Sequence, residues 1–343
     1  MAHDPLSDVL RSVRLRGAVF YHVSLGREWA AETPEAPVLA EALMPGTEHV
    51  LAYHLIAKGE SWVAAGGLAP VRLHEGDIVM FPRGDRHVLA SAPGLRATPA
   101  ESDWQFSTRN EPKPIALAYH RGVLRPGTLE PGEPAHTIVI CGFIGCDLQP
   151  FNPLIAALPR LLRVPAADVA SWIGPILQQA VHESQQHQPG SAAVLDRVSE
   201  MVFVDAIRRY LASLPTDAHT PESSWLTALR DPHISRALGL LHAQPQQDWT
   251  LEELGRQVGM SRTRLHERFL ELVGQPPIQY LTNWRMQRAA NLLREGNATV
   301  ATVAQEVGYD SEAAFARAFK RATGKPPASW RRQQRASTDT DID

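Results

Sequence analysis

The chain has 343 residues, 44% of them hydrophobic and 21% charged, with 37 acidic against 34 basic side chains and a formal net charge of -3. Length predicts about two domains; the balanced composition excludes a disordered chain, and two cysteines exclude a disulfide scaffold. No run approaches about 18 consecutive apolar residues, so no membrane helix is expected; the N-terminal MAHDPLSDVLRSV has an early aspartate and no long apolar stretch, which predicts no secretory signal and a cytoplasmic location.

Over the first 135 residues glycine and proline recur at short intervals, as at Pro45-Gly46, Gly59, Gly66-Gly67, Pro70, Gly76, Pro82, Gly84 and Pro93-Gly94. Between them lie short apolar runs such as His49–Ile56 and Ile78–Phe81. This punctuation predicts many short strands with tight turns, as in a sandwich or small barrel. Asp77 reads as a turn feeding a buried strand at Ile78–Phe81, and Pro82-Arg83-Gly84-Asp85 turns out of it. Residues 95–113 are mostly polar and predict a loop; 114–124 and 136–144 predict further strands.

After residue 150 the periodicity becomes helical. Residues 153–158 and 167–183 have helical spacing, and 191–214 predict an amphipathic helix with Leu195, Val198, Val202, Ala206 and Tyr210 on one stripe. That stripe suits a dimer contact or packing on the N-terminal domain. A polar linker at 215–223 leads to a wholly helical region. Thr250 followed by Glu253 is a capping box, and Ser261, Thr299 and Ser311 mark further helix starts.

This helical region contains a duplication. Residues 250–281 and 299–331 align through Val258-Gly259-Met260 with Val307-Gly308-Tyr309, Phe269 with Phe319, and Gly274-Gln275-Pro276-Pro277 with Gly324-Lys325-Pro326-Pro327. Each copy reads as two short helices joined by a glycine turn, a helix-turn-helix, whose second helix can enter a major groove. A duplicated hairpin can also serve purely as a packing unit.

The net charge by itself argues against a polyanionic partner, but its distribution reverses that inference. Residues 245–335 carry 14 Arg or Lys against 9 Asp or Glu, whereas residues 1–244 carry 20 against 25. A basic C-terminal module fits phosphate contact with double-stranded DNA. In the first copy the expected base readers are Arg262, Thr263, Arg264 and His266. In the second they are Ser311, Glu312, Ala313, Ala316 and Arg317, with Lys320 and Arg321 placed for phosphates. The first copy is richer in donors and is expected to read sequence. Glu312 also serves as a favourable charge in a helix's first turn.

Met260-Ser261-Arg262, Arg268-Phe269, Gly274-Gln275-Pro276-Pro277, Tyr280-Leu281, Ala304-x-x-Val307-Gly308-Tyr309-x-Ser311, Phe315, Phe319-Lys320 and Gly324-x-Pro326 carry a family resemblance. The segment Trp249–Trp330 resembles the DNA-binding domain of the AraC/XylS family of bacterial transcriptional regulators. His54–Gly59, Leu73-x-Glu75-Gly76-Asp77-x-Val79, Pro82-Arg83-Gly84-x-x-His87-x-Leu89, Cys141-Gly142 and Leu158-Pro159 resemble the cupin-like sensor domain of some of those regulators. The resemblance implies a two-domain α+β chain. A cupin-like β-barrel sensor at 1–165 is followed by a helical linker at 166–223, a candidate dimerisation region. A DNA-binding domain at 224–336 carries helix-turn-helix units at about 250–271 and 299–321, and 337–343 form a disordered acidic tail. It further implies an effector sensed by the N-terminal domain, a homodimer, and RNA polymerase as the partner of an activator.

Cys141 and Cys146, with His136 just upstream, form the one chemically suggestive cluster, to which His54 and His87 can fold in. Three readings stand open. One is a structural or regulatory zinc ion held by thiolate and imidazole. Another is a redox switch closing a reversible disulfide. The third is a pair of buried cysteines acting as small apolar residues. The chain lacks the His-x-His of metal-dependent cupins, which leaves a cupin metalloenzyme with a DNA-binding tail as the lesser alternative. A constitutive DNA binder with the cupin used only for dimerisation is the other.

Overall fold

The apolar runs of the first half become strands, and a computed structural model shows how they pair; it describes residues 3–97, 115–120, 122–168, 173–186, 189–214, 225–296 and 298–339. In chain order the N-terminal elements are α1 (Pro5–Ser12), β1 (Arg16–Leu25), β2 (Ala30–Thr33), α2 (Ala36–Leu43), β3 (His49–Lys58), β4 (Glu60–Ala65), β5 (Val71–His74) and β6 (Ile78–Phe81). Then come β7 (His87–Ala90), β8 (Ile115–His120), β9 (Val123–Pro126), β10 (Thr137–Cys146), α3 (Pro153–Ala157), β11 (Leu162–Val164), α4 (Ile173–Gln186) and α5 (Ser191–Ser213). The C-terminal helices are α6 (Trp225–Ala228), α7 (Pro232–Ala243), α8 (Leu251–Val258), α9 (Arg262–Val273), α10 (Pro277–Glu295), α11 (Val300–Glu306), α12 (Glu312–Thr323) and α13 (Pro327–Asp339). Among the described residues, no helix is long and apolar enough to cross a membrane.

Leu15–Asp147 and Leu158–Ser213 make a β-rich unit. Its seven-stranded sheet runs β11-β6-β3-β10-β1-β8-β9, and its four-stranded sheet runs β2-β7-β4-β5. The expected cupin-like β-barrel is not formed: neither sheet closes. The physical reason lies at the edges, where hydrogen bonding stops. β9 ends in Pro126, which has no N–H to extend a ladder, and β11, β2 and β5 are only three or four residues long. The two sheets enclose a core that includes Tyr21, Trp29, Phe81 and Phe143.

β3 does not alternate; its first eight residues are all buried. A strand covered on both faces has that pattern. The second cover is α5, which buries Leu195, Val198, Val202 and Ala206 of the expected stripe, leaves Tyr210 half-buried, and adds Phe203 and Ile207. The Tyr53 hydroxyl donates to Ser199 Oγ at 2.7 Å, and Ser199 in turn donates to the Leu195 carbonyl. Gly142 on the neighbouring strand makes room for this ring, since a Cβ there would overlap Tyr53. The expected loop at 95–113 and linker at 215–223 lie largely or wholly outside the described residues.

The turn before β6 is fastened by Asp77. Its carboxylate accepts from the His74 N–H (3.0 Å), the Ala166 N–H (2.8 Å) and the Arg163 guanidinium (2.8 Å). Burial pushes this carboxyl up, but those donors outweigh it and hold it below the usual carboxylate range.

Met1–Arg14, Leu148–Ala157 and Leu214–Asp343 make the second, helical unit. Its helices start where small polar side chains accept orphan N–H groups: Asp231 for α7, Thr250 for α8, Ser261 for α9, Thr299 for α11 and Ser311 for α12. α13 extends through Asp339, over the first residues of the expected disordered tail; the last four residues lie outside the described set.

Asp77→Asn is expected to lower unfolding stability by about 2 kcal/mol at neutral pH, the scale of a lost charge-assisted hydrogen bond at a buried site. The native pKa lies below the unfolded one, so the contribution is complete above the ordinary carboxylate pKa and disappears as pH falls through the native value. Urea unfolding of both proteins checks this: their difference must shrink on acidification.

Candidate nucleic-acid interface and sensor pocket

The duplicated sequence makes duplicated geometry. In the first unit, α8 ends at Gly259 (φ 74°) and α9 follows; in the second, α11 leads through Gly308 (φ 82°) to α12. The Met260 N–H bonds the Gly255 carbonyl and the Tyr309 N–H bonds that of Ala304, both at 2.9 Å. A positive φ at the turn brings each second helix across the first, and glycine adopts it without strain. Leu265 and Phe269 bury the inner face of α9, as Phe315 and Phe319 do that of α12.

The opposite faces carry the expected readers. Arg262, Thr263 and Arg264 are exposed at the start of α9, and His266 is half-buried. Ser311, Glu312, Ala313, Arg317, Lys320 and Arg321 are exposed on or beside α12, and Ala316 is half-buried. Two of these have a second engagement. Ser311 Oγ caps α12 by accepting from the Ala314 N–H at 3.2 Å. Arg262 meets Glu252 at 2.8 Å, but both are exposed, so the pair exchanges readily for another acceptor. Among the described residues, Arg264 and Arg317 make no ion pair.

Sequence reasoning missed Arg285. It lies on α10, the helix that joins the two units, and its side chain is 13% exposed. Nε donates to the Pro245 carbonyl (2.6 Å) and Nη2 to that of Gln247 (2.9 Å), just ahead of α8. Its guanidinium also sits 5.8 Å from the ring centre of Tyr309, in the turn of the second unit. Gly308 completes the contact, because a Cβ there would come 2.7 Å from Gln246 Cα. The signal was a lone arginine between Trp284 and Met286, both buried.

In the β-rich unit the register pairs Cys141 on β10 with His54 on β3. His54 Nδ1 lies 3.1 Å from Cys141 Sγ, and His54 Nε2 lies 2.7 Å from His87 Nε2. His87 Nδ1 is 2.8 Å from the Asp85 carbonyl, which can only accept. That end fixes the proton order: Cys141 S–H to His54, His54 Nε2–H to His87, His87 Nδ1–H to Asp85. Burial keeps every member neutral. It pushes His54 well below the ordinary imidazole value, His87 down to about 4 and the Cys141 thiol up to about 12.

The expected zinc set does not assemble. His54 lies between its two neighbours and turns a different nitrogen to each, so one ion cannot take all three. His136 is exposed ahead of β10, and Cys146 is five residues beyond Cys141 along the same strand. Among the described residues, no group of three or more His, Cys, Asp or Glu side chains could hold a metal ion. The spacing also excludes an intrachain disulfide, since five extended residues span about 16 Å, far more than a disulfide's ~7 Å Cα limit.

Cys141 and His54 instead help wall a narrow cavity of about 30 Å³ between the two sheets, with Val23, Trp29, Leu89, Leu124 and Val139. Trp29 is buried, and its indole N–H has no hydrogen-bond partner among the described residues.

Two family models match the chain: a cupin family over residues 4–212 and a helix-turn-helix domain over residues 254–333. A protein of Streptomyces lividans described as an AraC-like transcription regulator is 30% identical over 335 residues, covering 96% of this chain and 98% of its own length. The transcriptional regulator AlkR of Acinetobacter baylyi is 28% identical over 333 residues, covering 96% of this chain and 99% of its own. Among solved structures, the DNA-binding domain of AdpA in complex with a target DNA is similar at 32% identity, covering 31% of this chain and 95% of that one, with a TM-score of 0.29. With a cupin-family model over more than half its length and relatives matched nearly end to end, the chain belongs to the AraC family of transcriptional regulators, in which a C-terminal helix-turn-helix domain binds DNA.

Proposed function

We propose that the N-terminal domain of this regulator senses a small neutral molecule and thereby controls promoter binding by α9 and α12. The observation that carries the sensing half is the cavity between the sheets, whose polar wall groups are the uncharged Cys141–His54 pair, the unpartnered Trp29 N–H, Thr33 and Glu32. Such a wall favours a mostly apolar compound with one hydrogen-bond acceptor, because the one carboxylate is already paired with Arg86 and a charged ligand would be desolvated without compensation. A second reading rests on Cys141 itself, whose thiol faces both this cavity and a proton acceptor. Oxidation by a peroxide would give a sulfenic acid, with water leaving.

On the DNA side, α9 reads bases through Arg262, Thr263, Arg264 and His266. α12 adds contacts through Ser311, Glu312, Ala313, Ala316 and Arg317, with Lys320 and Arg321 on phosphates. The protein acts as a homodimer on two half-sites. The outer face of α5 suits that contact, with Val194 (43% exposed) and Met201 (36%) two helical turns apart. Family membership points to regulation rather than catalysis, to activation and to RNA polymerase as the second partner.

Three outcomes are expected from fluorescence anisotropy on promoter fragments selected from a random pool. Arg264→Ala should weaken selected sites by about tenfold or more and relax base preference, at ~1–3 kcal/mol for a bidentate contact. Lys320→Ala should weaken all sequences alike and lower the salt slope by about one. Arg285→Met should cost affinity for two-groove sites more than for single-groove sites.

For the sensor, Ala31→Phe should fill the cavity and remove any response of DNA affinity to short alcohols or ketones while leaving basal binding unchanged. A response to hydrogen peroxide that is lost in Cys141→Ser and kept in Cys146→Ser would favour the oxidant reading. Insensitivity of DNA binding to both kinds of probe would leave a constitutive binder.

A further inference from the structure

The helical unit holds a second cavity that neither DNA contact nor the sensor pocket uses. It lies among α1, α7 and α10, all within that unit, and measures about 350 Å³. α1 is fastened there by its last residue: the Ser12 carbonyl accepts from Gln287 Nε2 at 3.0 Å and from Asn291 Nδ2 at 3.1 Å. The floor is polar, made by the buried His242 and Trp284 and the half-buried Asp8 and Asn291; the mouth carries the exposed His3, Arg11, Arg288 and Glu295.

Hydrogen bonding on that floor stops short. Trp225 Nε1–H donates to the Tyr280 hydroxyl (2.9 Å), which also pairs with His242 Nε2 (2.8 Å). His242 is stacked on Trp284, with ring centres 3.8 Å apart, and its side chain is 0% exposed. Nδ1 lies 3.4 Å from Asp8 Oδ2 without hydrogen-bond geometry. Asp8 Oδ2 also lies 2.6 Å from His3 Nδ1, again misaligned. Trp284 Nε1 and Asn291 Oδ1 likewise lack partners. Each such buried orphan costs about 1–3 kcal/mol, and native proteins leave few of them. Here Trp284 Nε1 and Asn291 Oδ1 face one cavity as an open donor and an open acceptor, beside Asp8 Oδ2, which has only ionic contacts to His3 and His242.

We propose that this cavity binds a small zwitterion of the amino-acid type. An ammonium group answers the acceptors, Asp8 Oδ2 and Asn291 Oδ1. A carboxylate answers the Trp284 N–H and the guanidinium of Arg288. A simple anion would be opposed by Asp8 and Glu295, and a simple cation would face Arg11 and Arg288 at the mouth. The volume is within the range of small-ligand pockets. The occupied site joins α1 to the side of α10 next to Arg285, so occupancy also bears on the element that spaces the two readers. The inference is independent of what the N-terminal domain senses.

Calorimetric titration of the full chain with each common amino acid tests it, using the N-acetylated and decarboxylated forms of any binder as controls. The expected result is saturable binding of at least one amino acid. Removal of either charge should weaken that binding by about tenfold or more, as should Asp8→Asn and Arg288→Ala. Arg288 is exposed, so its variant keeps the fold, which a thermal melt verifies. The proposal is overturned if no amino acid binds at millimolar concentration, if the acetylated or decarboxylated form binds equally well, or if Arg288→Ala binds as the parent does.

Discussion

The two helix-turn-helix units share one helix, α10, and a single guanidinium on it touches both, beside the apolar packing of Tyr280 on Phe269 and of Met286, Ala289, Ala290 and Leu293 on the second unit. Arg285 reaches from α10 to the carbonyls ahead of the first unit and lies beside the ring that turns into the second. A buried arginine is costly unless its donors are met. Backbone carbonyls and an aromatic face meet them here. The two hairpins are thus tied by side-chain contacts as well as by the chain. The arginines of α9 and α12 stay exposed, since packing is supplied by Leu265, Phe269, Phe315 and Phe319 beneath them.

The β-rich unit solves an opposite problem, how to keep polar groups inside without charge. Cys141, His54 and His87 are satisfied by passing protons in one direction to a terminal carbonyl, so none has to ionise. A thiol so protected is stable at rest. The same chain places a proton acceptor beside the sulfur. With each nitrogen of His54 already turned to a different neighbour, the arrangement does not fit a metal centre.

What could be read from the sequence was what local chemistry decides. The caps at Thr250, Ser261, Thr299 and Ser311, the glycine turns and the apolar stripes each depend on residues within a few positions, and the helices follow them. Strand pairing is not local. The parallel pairing of β1 with β8 and the early end of the ladders at Pro126 come from contacts across the chain, so punctuation leaves sandwich and barrel open, and the barrel that the family resemblance implied is replaced by two open sheets. The cysteine cluster is likewise decided by register. Of the five residues grouped there, register brings His54 and, through it, His87 to Cys141 and leaves Cys146 and His136 apart. Arg285 left only a faint trace, a charge where the neighbours are buried. The orphaned set at Asp8, His242, Trp284 and Asn291 left none, because its members come from helices far apart in the chain.

The chain path joins the β-rich and helical units at neighbouring strands. β1 and β10 are neighbours at the heart of the large sheet, and Arg16 pairs with Gly145. The start of β1 and the end of β10 therefore lie at the same end of the sheet. Just upstream of the first is α1, and just downstream of the second is the segment Leu148–Ala157; both belong to the helical unit. Two central strands of the sensor thus continue covalently into parts of the DNA-binding unit. Within that unit Gln287 holds both, donating to the Ser12 carbonyl and accepting from the Phe151 N–H. Gln287 is two residues from Arg285 on the same helix. Gln287 thus fastens both strand extensions to α10, the helix that also carries Arg285.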